Sequence, residues 1–482
     1  MAENLLKFVS VERQSPEKRD AAARRGDFDE IYQDFDPDRA SLQAARCSQC
    51  GIPYCQVHCP LANNIPDWLM LAAGGRLEEA YEMAQATNTF PEVCGRICPQ
   101  DRLCEGNCVI EKDFGGVTIG AVETYITETA FAEGWVAPPR PATELDQSVG
   151  IIGAGPAGLA AADRLRRMGY QVTVYDRYDR VGGLLVYGIP NFKLEKHLVE
   201  RRAALLTDGG VAFQLDFEVG RDASLEELRQ RHQAVLIATG VYQARDAAMP
   251  GAGLAGIELA MDYLTASNRK GLGDAVADFE SGRLDARSKH VVVIGGGDTG
   301  MDCVRTAVRQ DAASVTCLYR RDRDNMPGSQ HEVTHAMEEG VVFEWLAAPE
   351  AFLGDDRVSA VRAQRMRLGT PDAGGRQAPK PLPDSSFKLD CDLAIKALGF
   401  NPEDLSVAFD APDLKLSRWG TLNISEASME TSLAGVFAAG DIVRGASLVV
   451  WAIKDGRDAA DGIAAYLRAT VARETSASVA AE

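Results

Sequence analysis

The sequence predicts an α/β protein in which a helical N-terminal domain is followed by two doubly wound, Rossmann-like domains. The chain has 482 residues, more than a single hydrophobic core commonly spans. Eight of its eleven cysteines lie between Cys47 and Cys108. After residue 147, apolar strand-like runs alternate with helical stretches, and a unit of strand, glycine turn, helix and strand occurs twice. Two nucleotide-binding modules are therefore expected in the second part.

The composition is that of a globular protein with a strong negative charge. Hydrophobic residues make up 46% of the chain, and 51 Lys and Arg against 70 Asp and Glu give a formal net charge of −19. A field of that sign repels nucleic acid and anionic membrane surfaces. The first twenty residues carry scattered charges, and no run approaches the roughly 18 apolar residues of a membrane span. We therefore expect a cytoplasmic protein that binds neither nucleic acid nor membrane.

The N-terminal region, which we expect to form a domain over residues 1–140, reads as short helices joined by turns. The segments SLQAARCSQC and DWLMLAAGGRLEEAYEMAQAT have helical patterns and are separated by proline and glycine. A proline-rich polar segment, WVAPPRPATELDQ, follows them and is typical of a linker.

The cysteines of this region have the spacing of iron-sulfur ligands. A 4Fe-4S cube needs four ligands that point inward from different directions, so two groups of four can hold two cubes. Proline follows two of the cysteines, as it does in two-cluster ferredoxins, where such a cysteine ligates the other cluster. The two runs are Cys47, Cys50, Cys55, Cys59 and Cys94, Cys98, Cys104, Cys108.

Structural zinc sites are the main alternative for these cysteines. Zinc knuckles favour C-x2-C pairs in both halves of a site, and only Cys47 and Cys50 have that spacing. Disulfides are disfavoured because the cytosol keeps structural thiols reduced. The remaining cysteines, Cys303, Cys317 and Cys391, lie in or beside apolar stretches and are expected in the core.

The first glycine fingerprint, GAGPAG, follows an apolar strand and opens a helix, and it predicts an FAD site. Its glycines allow the backbone to approach a pyrophosphate, which the helix N-terminus attracts, and an acid at the end of the next strand accepts ribose hydroxyls. The following RVGGLL stands where FAD enzymes add a second diphosphate contact. The residues assigned to FAD here are Gly153, Gly155, Pro156, Ala157, Gly158, Asp176, Gly182, Gly183 and Leu184.

The second fingerprint repeats this design with Gly295, Gly297 and Gly300, but the next strand ends in Arg320 and Arg321. Guanidinium groups suit a ribose 2′-phosphate, so this module is predicted to select NADPH over NADH. The alternative is a solvated surface cluster in which these arginines and Arg323 pair with Asp322 and Asp324.

Two later turns complete the predicted nucleotide sites. Gly440 and Asp441, in AAGD, fit a returning strand of the FAD domain whose acid bonds the ribityl chain, although Asp441 alone would also suit a helix N-cap. The turn from Ala397 to Gly399 is assigned to NADPH, although it could be only a tight connection. The expected domain bounds are 147–285 for the first part of the FAD domain, 286–425 for an inserted NADPH domain and 426–482 for the second FAD part.

Over essentially its whole length the sequence resembles the small (beta) subunit of NADPH-dependent glutamate synthase. The cysteine array, the linker, both fingerprints and the closing AAGD occur in the order of that family. The same module is similar to the NADPH-side half of dihydropyrimidine dehydrogenase. The resemblance implies nucleotide domains of the disulfide-oxidoreductase-like flavoprotein type.

The resemblance also implies residue roles. It implies FAD contacts from Lys193 and NADPH contacts from Asp298 and Thr299. One cluster would be held by Cys47, Cys50, Cys55 and Cys108, and the other by Cys59, Cys98, Cys104 and either Glu123 or Cys94.

The function implied is that of an electron-input subunit. Hydride would pass from NADPH to FAD, and single electrons would pass through two 4Fe-4S clusters to an FMN-bearing large (alpha) subunit, which makes L-glutamate from glutamine and 2-oxoglutarate. No side chain of this chain would act as a catalytic nucleophile. Related alternatives are a subunit of a ferredoxin:NADP transhydrogenase or of a two-subunit dihydropyrimidine dehydrogenase. A thioredoxin-reductase-like enzyme would need a CxxC pair beside the second module, and Cys303 and Cys317 are too far apart to form one.

Overall fold

The N-terminal part of the chain is helical, as predicted. The structure, a computed structural model, describes residues 6–372, 374–375 and 377–481. Trp68, Tyr81 and Ile126 lie in the core of the helical part, each at most 2% exposed. Its helices are α1 (Lys7–Ser10), α2 (Ala21–Gly26), α3 (Pro37–Ala44), α4 (Tyr54–Val57), α5 (Ile65–Ala73), α6 (Leu77–Thr87), α7 (Pro91–Ile97), α8 (Glu111–Phe114) and α9 (Ile119–Ala132).

The first nucleotide-binding part is built on a parallel sheet. Its strands are β1 (Ser148–Ile152), β2 (Gln171–Tyr175), β3 (Ala212–Gln214), β4 (Ala234–Ile237) and β15 (Val436–Ala438). They lie in the order β15-β4-β1-β2-β3, and every neighbouring pair is parallel. Its helices are α10 (Pro156–Arg167), α11 (Leu184–Tyr187), α12 (Lys196–Asp208), α13 (Leu225–Arg231), α18 (Leu405–Ala408), α19 (Asp441–Arg444) and α20 (Val449–Ala481).

A second parallel sheet has the same plan. It contains β6 (Ile257–Leu259), β7 (His290–Ile294), β8 (Ser314–Tyr319), β9 (Val342–Trp345) and β13 (Leu393–Lys396). The order is β6-β13-β7-β8-β9, again with parallel neighbours. Both central strands, β1 and β7, end in a glycine turn, so each turn opens at the carboxyl edge of its sheet, where ligands bind in such folds. The helices of this part are α14 (Ala260–Gly271), α15 (Ala277–Glu280), α16 (Asp298–Arg309) and α17 (Gln330–Glu338).

Two antiparallel sheets have no counterpart in the sequence expectations. A three-stranded sheet joins β10 (Ala347–Gly354), β11 (Val358–Pro371) and β12 (Gln377–Asp390), and a short pair joins β5 (Gln243–Ala244) to β14 (Phe400–Asn401). The long hairpin escaped prediction because β12 carries three prolines and its pairing with β11 is interrupted by register shifts.

The two sheets divide the chain at positions that differ from the expected segment bounds. Strand β6 lies before residue 285 in the sequence but pairs with β13 in the second sheet. Leu405 and Phe409 lie before residue 425 but pack with Ile152 and Tyr175 of the first sheet. Residues 257–259 thus belong to the second sheet, and residues 405–409 pack with the first. Within the described ranges, no helix is both long enough and apolar enough to span a membrane.

Candidate functional site

The first glycine turn joins β1 to α10 and leaves open space above its middle glycine. Gly153 has φ +112°, and a Cβ there would overlap the Ala238 carbonyl oxygen. A Cβ at Gly158 would overlap the Gly153 carbonyl oxygen, whereas nothing lies within 4 Å of a Cβ built on Gly155. The turn is therefore tight where the protein packs and open where a diphosphate could approach the N-terminus of α10, as FAD requires.

Asp176 fixes this turn and faces the same open space. Its carboxylate accepts hydrogen bonds from the Ala154 N–H at 2.6 Å and the Tyr178 N–H at 2.9 Å. Burial raises the pKa of Asp176 despite these bonds. The acid predicted to bind the ribose also holds the glycine turn in shape.

The second predicted diphosphate contact packs directly on the first turn. The Gly182 N–H donates to the Ala154 carbonyl at 2.9 Å, and a Cβ at Gly183, where φ is +55°, would lie 3.0 Å from the Cα of Gly155. The two glycine segments thus form adjacent walls of the predicted FAD diphosphate site.

Asp441 also faces the first nucleotide site, at the start of α19. The N-cap of this helix is Gly440, with φ +78° and no side-chain capping bond, so Asp441 is not the N-cap that the alternative interpretation required. Burial raises the pKa of Asp441 to about 6. A buried carboxyl group whose loss of hydration is only weakly offset by neighbouring groups is a candidate partner for a polar ligand group.

The second glycine turn repeats the first at the end of β7. A Cβ at Gly295 would overlap the Ala397 carbonyl oxygen, and one at Gly300 would lie 2.7 Å from the Gly295 oxygen, but one at Gly297 would meet nothing within 4 Å. Ala397 thus packs beneath the turn, and Gly399, with φ +92°, accepts from the Arg245 N–H at 2.9 Å. Open space again lies beside the N-terminus of a helix, here α16.

The arginines at the end of β8 do not pair with the neighbouring aspartates. Across the residues that the structure describes, no ion pair joins Arg320 or Arg321 to Asp322 or Asp324, and Asp322 instead accepts from Asn325 at 2.7 Å. The Nε of Arg321 is buried without a hydrogen-bond partner. An orphaned guanidinium nitrogen fits an anionic ligand group better than a neutralised surface cluster.

A cavity of about 1300 Å³ extends from the first glycine turn to Asp298 and Thr299, at the N-terminus of α16. Its size suits dinucleotides rather than a single small molecule. The predicted residues on its wall are Gly153, Gly155, Pro156, Ala157, Asp176, Leu184, Lys193, Asp441, Asp298 and Thr299. The predicted residues away from this wall are Gly158, Gly182, Gly183, Gly440, Gly295, Gly297, Gly300, Arg320, Arg321, Ala397 and Gly399.

The cavity wall also carries charged residues that the sequence analysis did not identify. Lys193 donates to Asp302 at 2.9 Å and lies 3.6 Å from Glu332. Burial raises the pKa of Asp302 to about 6, although Lys193 opposes this shift. Tyr32 and His335 line the same wall. Asp302 lies four residues after Asp298 on α16, so helical spacing from the fingerprint could have identified it.

The first group of cysteines lies at the edge of the helical core. Burial raises the pKa values of Cys47 and Cys55 to about 11 and about 12, and mutual repulsion with Cys50 and Cys108 adds to both shifts. The Ser48 hydroxyl and the Cys50 sulfur are 3.0 Å apart, and the Gln49 amide donates to the Cys47 sulfur at 3.4 Å. Four adjacent thiols with polar neighbours are a donor set that suits an iron-sulfur cluster.

The second group surrounds a separate small cavity, whose wall includes Cys59, Cys94, Cys98, Cys104 and Glu123. Both candidates for the fourth ligand, Glu123 and Cys94, are thus present. Asn63 and Asn88 each donate to Glu123 at 3.1 Å, and burial raises its pKa to about 8. A buried carboxyl group held only by amides fits the coordination of a cation, because buried charges are paired or bind metals.

The two cavities adjoin. Cys98 and Gln100 line both of them, and Leu448 and Val449 line the large cavity while Val450 lines the small one. Cys303, Cys317 and Cys391 are buried as predicted, at most 1% exposed, and lie away from both walls.

Comparison with known proteins agrees with this division. Residues 24–135 match the family model of dihydropyrimidine dehydrogenase domain II, 4Fe-4S cluster, and residues 147–456 match that of pyridine nucleotide-disulphide oxidoreductase. The chain is 65% identical over 481 residues to the glutamate synthase [NADPH] small chain of Azospirillum brasilense, covering 100% of this chain and 99% of that one. It is 44% identical over 475 residues to the small chain of the same name from Escherichia coli strain K12, covering 97% and 100%.

A solved structure supports the fold of the nucleotide-binding part. Mycobacterium tuberculosis FprA in complex with NADPH aligns with a TM-score of 0.57 at 19% identity, covering 70% of this chain and 86% of that one. The fold, the two cavities and the two high-identity relatives agree. The chain therefore belongs to the family of glutamate synthase [NADPH] small chains, as an NADPH-dependent oxidoreductase that uses FAD and 4Fe-4S clusters for electron input.

Proposed function

We propose that this chain binds FAD and NADPH in one shared cavity and delivers electrons through its cysteine-rich domain to an FMN-bearing large subunit of glutamate synthase. The observation that carries the proposal is the contact between the two cavities at Cys98. When bound, FAD takes a hydride from NADPH and gives up electrons singly, as 4Fe-4S clusters require.

The chain's own residues would bind and orient the two dinucleotides. The open space at Gly155 would admit the FAD diphosphate, with Asp176 on its ribose and Asp441 on its ribityl chain. The open space at Gly297 would admit the NADPH diphosphate, with Arg320 and Arg321 on the 2′-phosphate. Holding both ligands against one another is the main contribution of a protein to hydride transfer.

We assign the first cluster to Cys47, Cys50, Cys55 and Cys108. We assign the second cluster, beside the large cavity, to Cys59, Cys98, Cys104 and Glu123. The amide bonds from Asn63 and Asn88 would orient Glu123, as outer hydrogen bonds do for metal ligands. Cys94 would then be a neighbouring thiol, which donates to Asn88 at 3.7 Å.

A large partner subunit is proposed because the relatives are named small chains. The net charge of −19 supports a cytoplasmic location without binding to nucleic acid or to anionic membranes. Among the described residues, no helix is long and apolar enough to cross a membrane.

Anaerobic titration of the purified chain with NADPH tests the proposal. NADPH should bleach the flavin, and NADH should do so only at much higher concentration. Addition of an FMN-bearing large subunit should then give L-glutamate from glutamine and 2-oxoglutarate. A colourless protein without iron or labile sulfide would contradict the proposal.

A further inference from the structure

A row of side chains joined by hydrogen bonds and one ion pair follows the wall of the large cavity from Lys193 to the partly exposed Tyr32. Its inner end is Lys193, which donates to Asp302 at 2.9 Å and lies 3.6 Å from Glu332. Glu332 and His335 Nδ1 are 3.3 Å apart, and His335 Nε2 and the Tyr32 hydroxyl are 3.1 Å apart. All five residues line the cavity.

The chain ends at a residue in contact with water. Tyr32 is 39% exposed, whereas His335 is 5% and Asp302 is 6% exposed. The chain also crosses three parts of the molecule, because Lys193 belongs to the first nucleotide-binding part, Glu332 to the second and Tyr32 to the segment before α3. Because these side chains come from distant positions in the sequence, their contacts depend on the tertiary structure and are not contacts between neighbouring residues of one helix.

The proposed function creates a need for such a path. The C4–H bond of NADPH breaks, its electron pair moves to the flavin with the hydrogen, and the two electrons then leave singly through the clusters. The balance is NADPH giving NADP⁺, two electrons and one proton, so one proton must leave the cavity in each cycle. A cavity filled by two dinucleotides has expelled most of its water, so the proton needs protein groups to carry it.

We propose that Lys193, Glu332, His335 and Tyr32 form the exit path for this proton, with Asp302 holding Lys193 in place. The inference rests on the proposed function of the cavity. Each group passes a proton to the next and is restored from the preceding one, so no oxidant or other reactant is needed. Histidine suits the central position because each ring nitrogen can give or take a proton near neutral pH.

Charged residues of both signs surround the path. Lys18, Arg24 and Arg305 face Tyr32 or His335 with positive charge, and Glu338 faces Tyr32 with negative charge. Arg305 also donates to Glu332 at 2.6 Å. Although burial opposes it, Arg305 and Lys193 hold the pKa of Glu332 well below its usual range, so Glu332 lies as an ionised acceptor between Lys193 and His335.

Proton release can be measured separately from electron transfer. The holoenzyme is mixed anaerobically with NADPH and ferricyanide, a one-electron acceptor, in weakly buffered solution with a pH-indicator dye. In His335→Ala, proton release should slow about ten-fold or more while flavin bleaching by NADPH keeps its rate, and added imidazole should restore proton release. Tyr32→Phe, which keeps the ring, should slow it in the same direction. Tyr125→Phe is the matched control, since Tyr125 lines the same cavity outside the path.

A second readout needs no turnover. Nitrogen NMR of His335 should show the proton on Nδ1, facing Glu332, and Tyr32→Phe should shift the Nε2 resonance. If flavin bleaching proceeds and both variants release protons at the wild-type rate, the path is wrong. If NADPH fails to bleach the flavin of the wild-type protein, the proposed function itself fails.

Discussion

Glu123 is a carboxyl group buried in a wall of thiols. It is 6% exposed, and its hydrogen-bond donors are the amides of Asn63 and Asn88. Ionising it there is costly without a cation, which is why its pKa rises to about 8. Coordination to iron would supply that cation. The thiol of Cys94, in contrast, is stable in its neutral form at its own buried position.

Substitution separates these two candidates for the fourth ligand. In Glu123→Ala the second cluster should be lost or converted, with a fall of up to about four iron atoms per chain, because one corner of the cube loses its ligand. Cys94→Ala should retain the full iron content. Anaerobic iron and sulfide analysis with EPR checks both variants. The opposite pattern would make Cys94 the ligand.

Arg320 and Arg321 should determine the choice of nicotinamide cofactor. Replacing both with Ala removes charge-assisted hydrogen bonds worth about 1.5–3 kcal/mol each, so the KM for NADPH should rise about a hundred-fold or more while that for NADH stays unchanged. Arg323→Ala is the control, because Arg323 is already bonded to Gln330 at 3.0 Å. Steady-state kinetics with both cofactors measures the effect. An equal rise for NADH would contradict the 2′-phosphate role.

At the scale of elements, α7, which carries Cys94 and is followed by Cys98, is fixed to the first nucleotide-binding part by a buried ion pair. Arg202 of α12 donates to Glu92 of α7 at 2.7 Å, with side chains 5% and 0% exposed. This pair holds Cys98, the residue after α7, in place between the two cavities that it lines.

Breaking this pair should loosen the docking of α7. Glu92→Ala leaves the guanidinium of Arg202 buried and unpaired, and should lower the free energy of unfolding by about 3–5 kcal/mol. The exposed pair Arg76–Glu79 provides the control, where Arg76→Ala should cost less than about 1 kcal/mol. Urea unfolding of both variants gives the comparison. Equal losses would show that α7 is held by other contacts.

A second buried ionic contact ties α16, at Arg305 and Arg309, to Glu339, just after α17. Burial alone would raise the pKa of Glu339, but bonds from Arg309 and Arg305 outweigh it and hold the pKa at about 2. The unfolded carboxyl has a value of 4.5, so this group stabilises the fold above about pH 4.5 by about 3 kcal/mol and loses that contribution as the pH falls toward 2.

Glu339→Gln should therefore lower stability at neutral pH and flatten the loss of stability between about pH 4.5 and 2. Urea unfolding across that range measures it, with Glu79→Gln as an exposed control. An unchanged pH slope in Glu339→Gln would contradict the depressed pKa.

A strand could be predicted from the sequence when the residues of that strand and of its adjoining turn carry a recognisable pattern. The strands β1, β2, β7 and β8 belong to the two predicted units of strand, glycine turn, helix and strand, and β13 and β15 precede the predicted turns at Gly399 and Gly440. The edge strands β3 and β9 are short or half exposed, and the hairpin of β11 and β12 contains prolines. None of these strands therefore shows a clear alternation of apolar and polar residues.

At the scale of the whole molecule, what the sequence could not predict is contact between distant segments. Spacing alone grouped the cysteines into one array, but it did not indicate that Cys98 would face the dinucleotide cavity. Nor did any motif reveal that Tyr32 and Lys193 would meet the second nucleotide-binding part. Such contacts depend on how the three parts dock, through side chains without periodic pattern.

The central claim is that the thiols of the N-terminal part connect two-electron nicotinamide chemistry to one-electron delivery. The direct measurement is EPR of the anaerobic chain after mixing with NADPH, with a regenerating system that keeps NADP⁺ low. We predict signals of reduced 4Fe-4S clusters that follow flavin bleaching, and in Cys98→Ser bleaching without those signals from the second cluster. A fully bleached flavin in the wild-type protein, with clusters that are present but stay oxidised, would contradict the account.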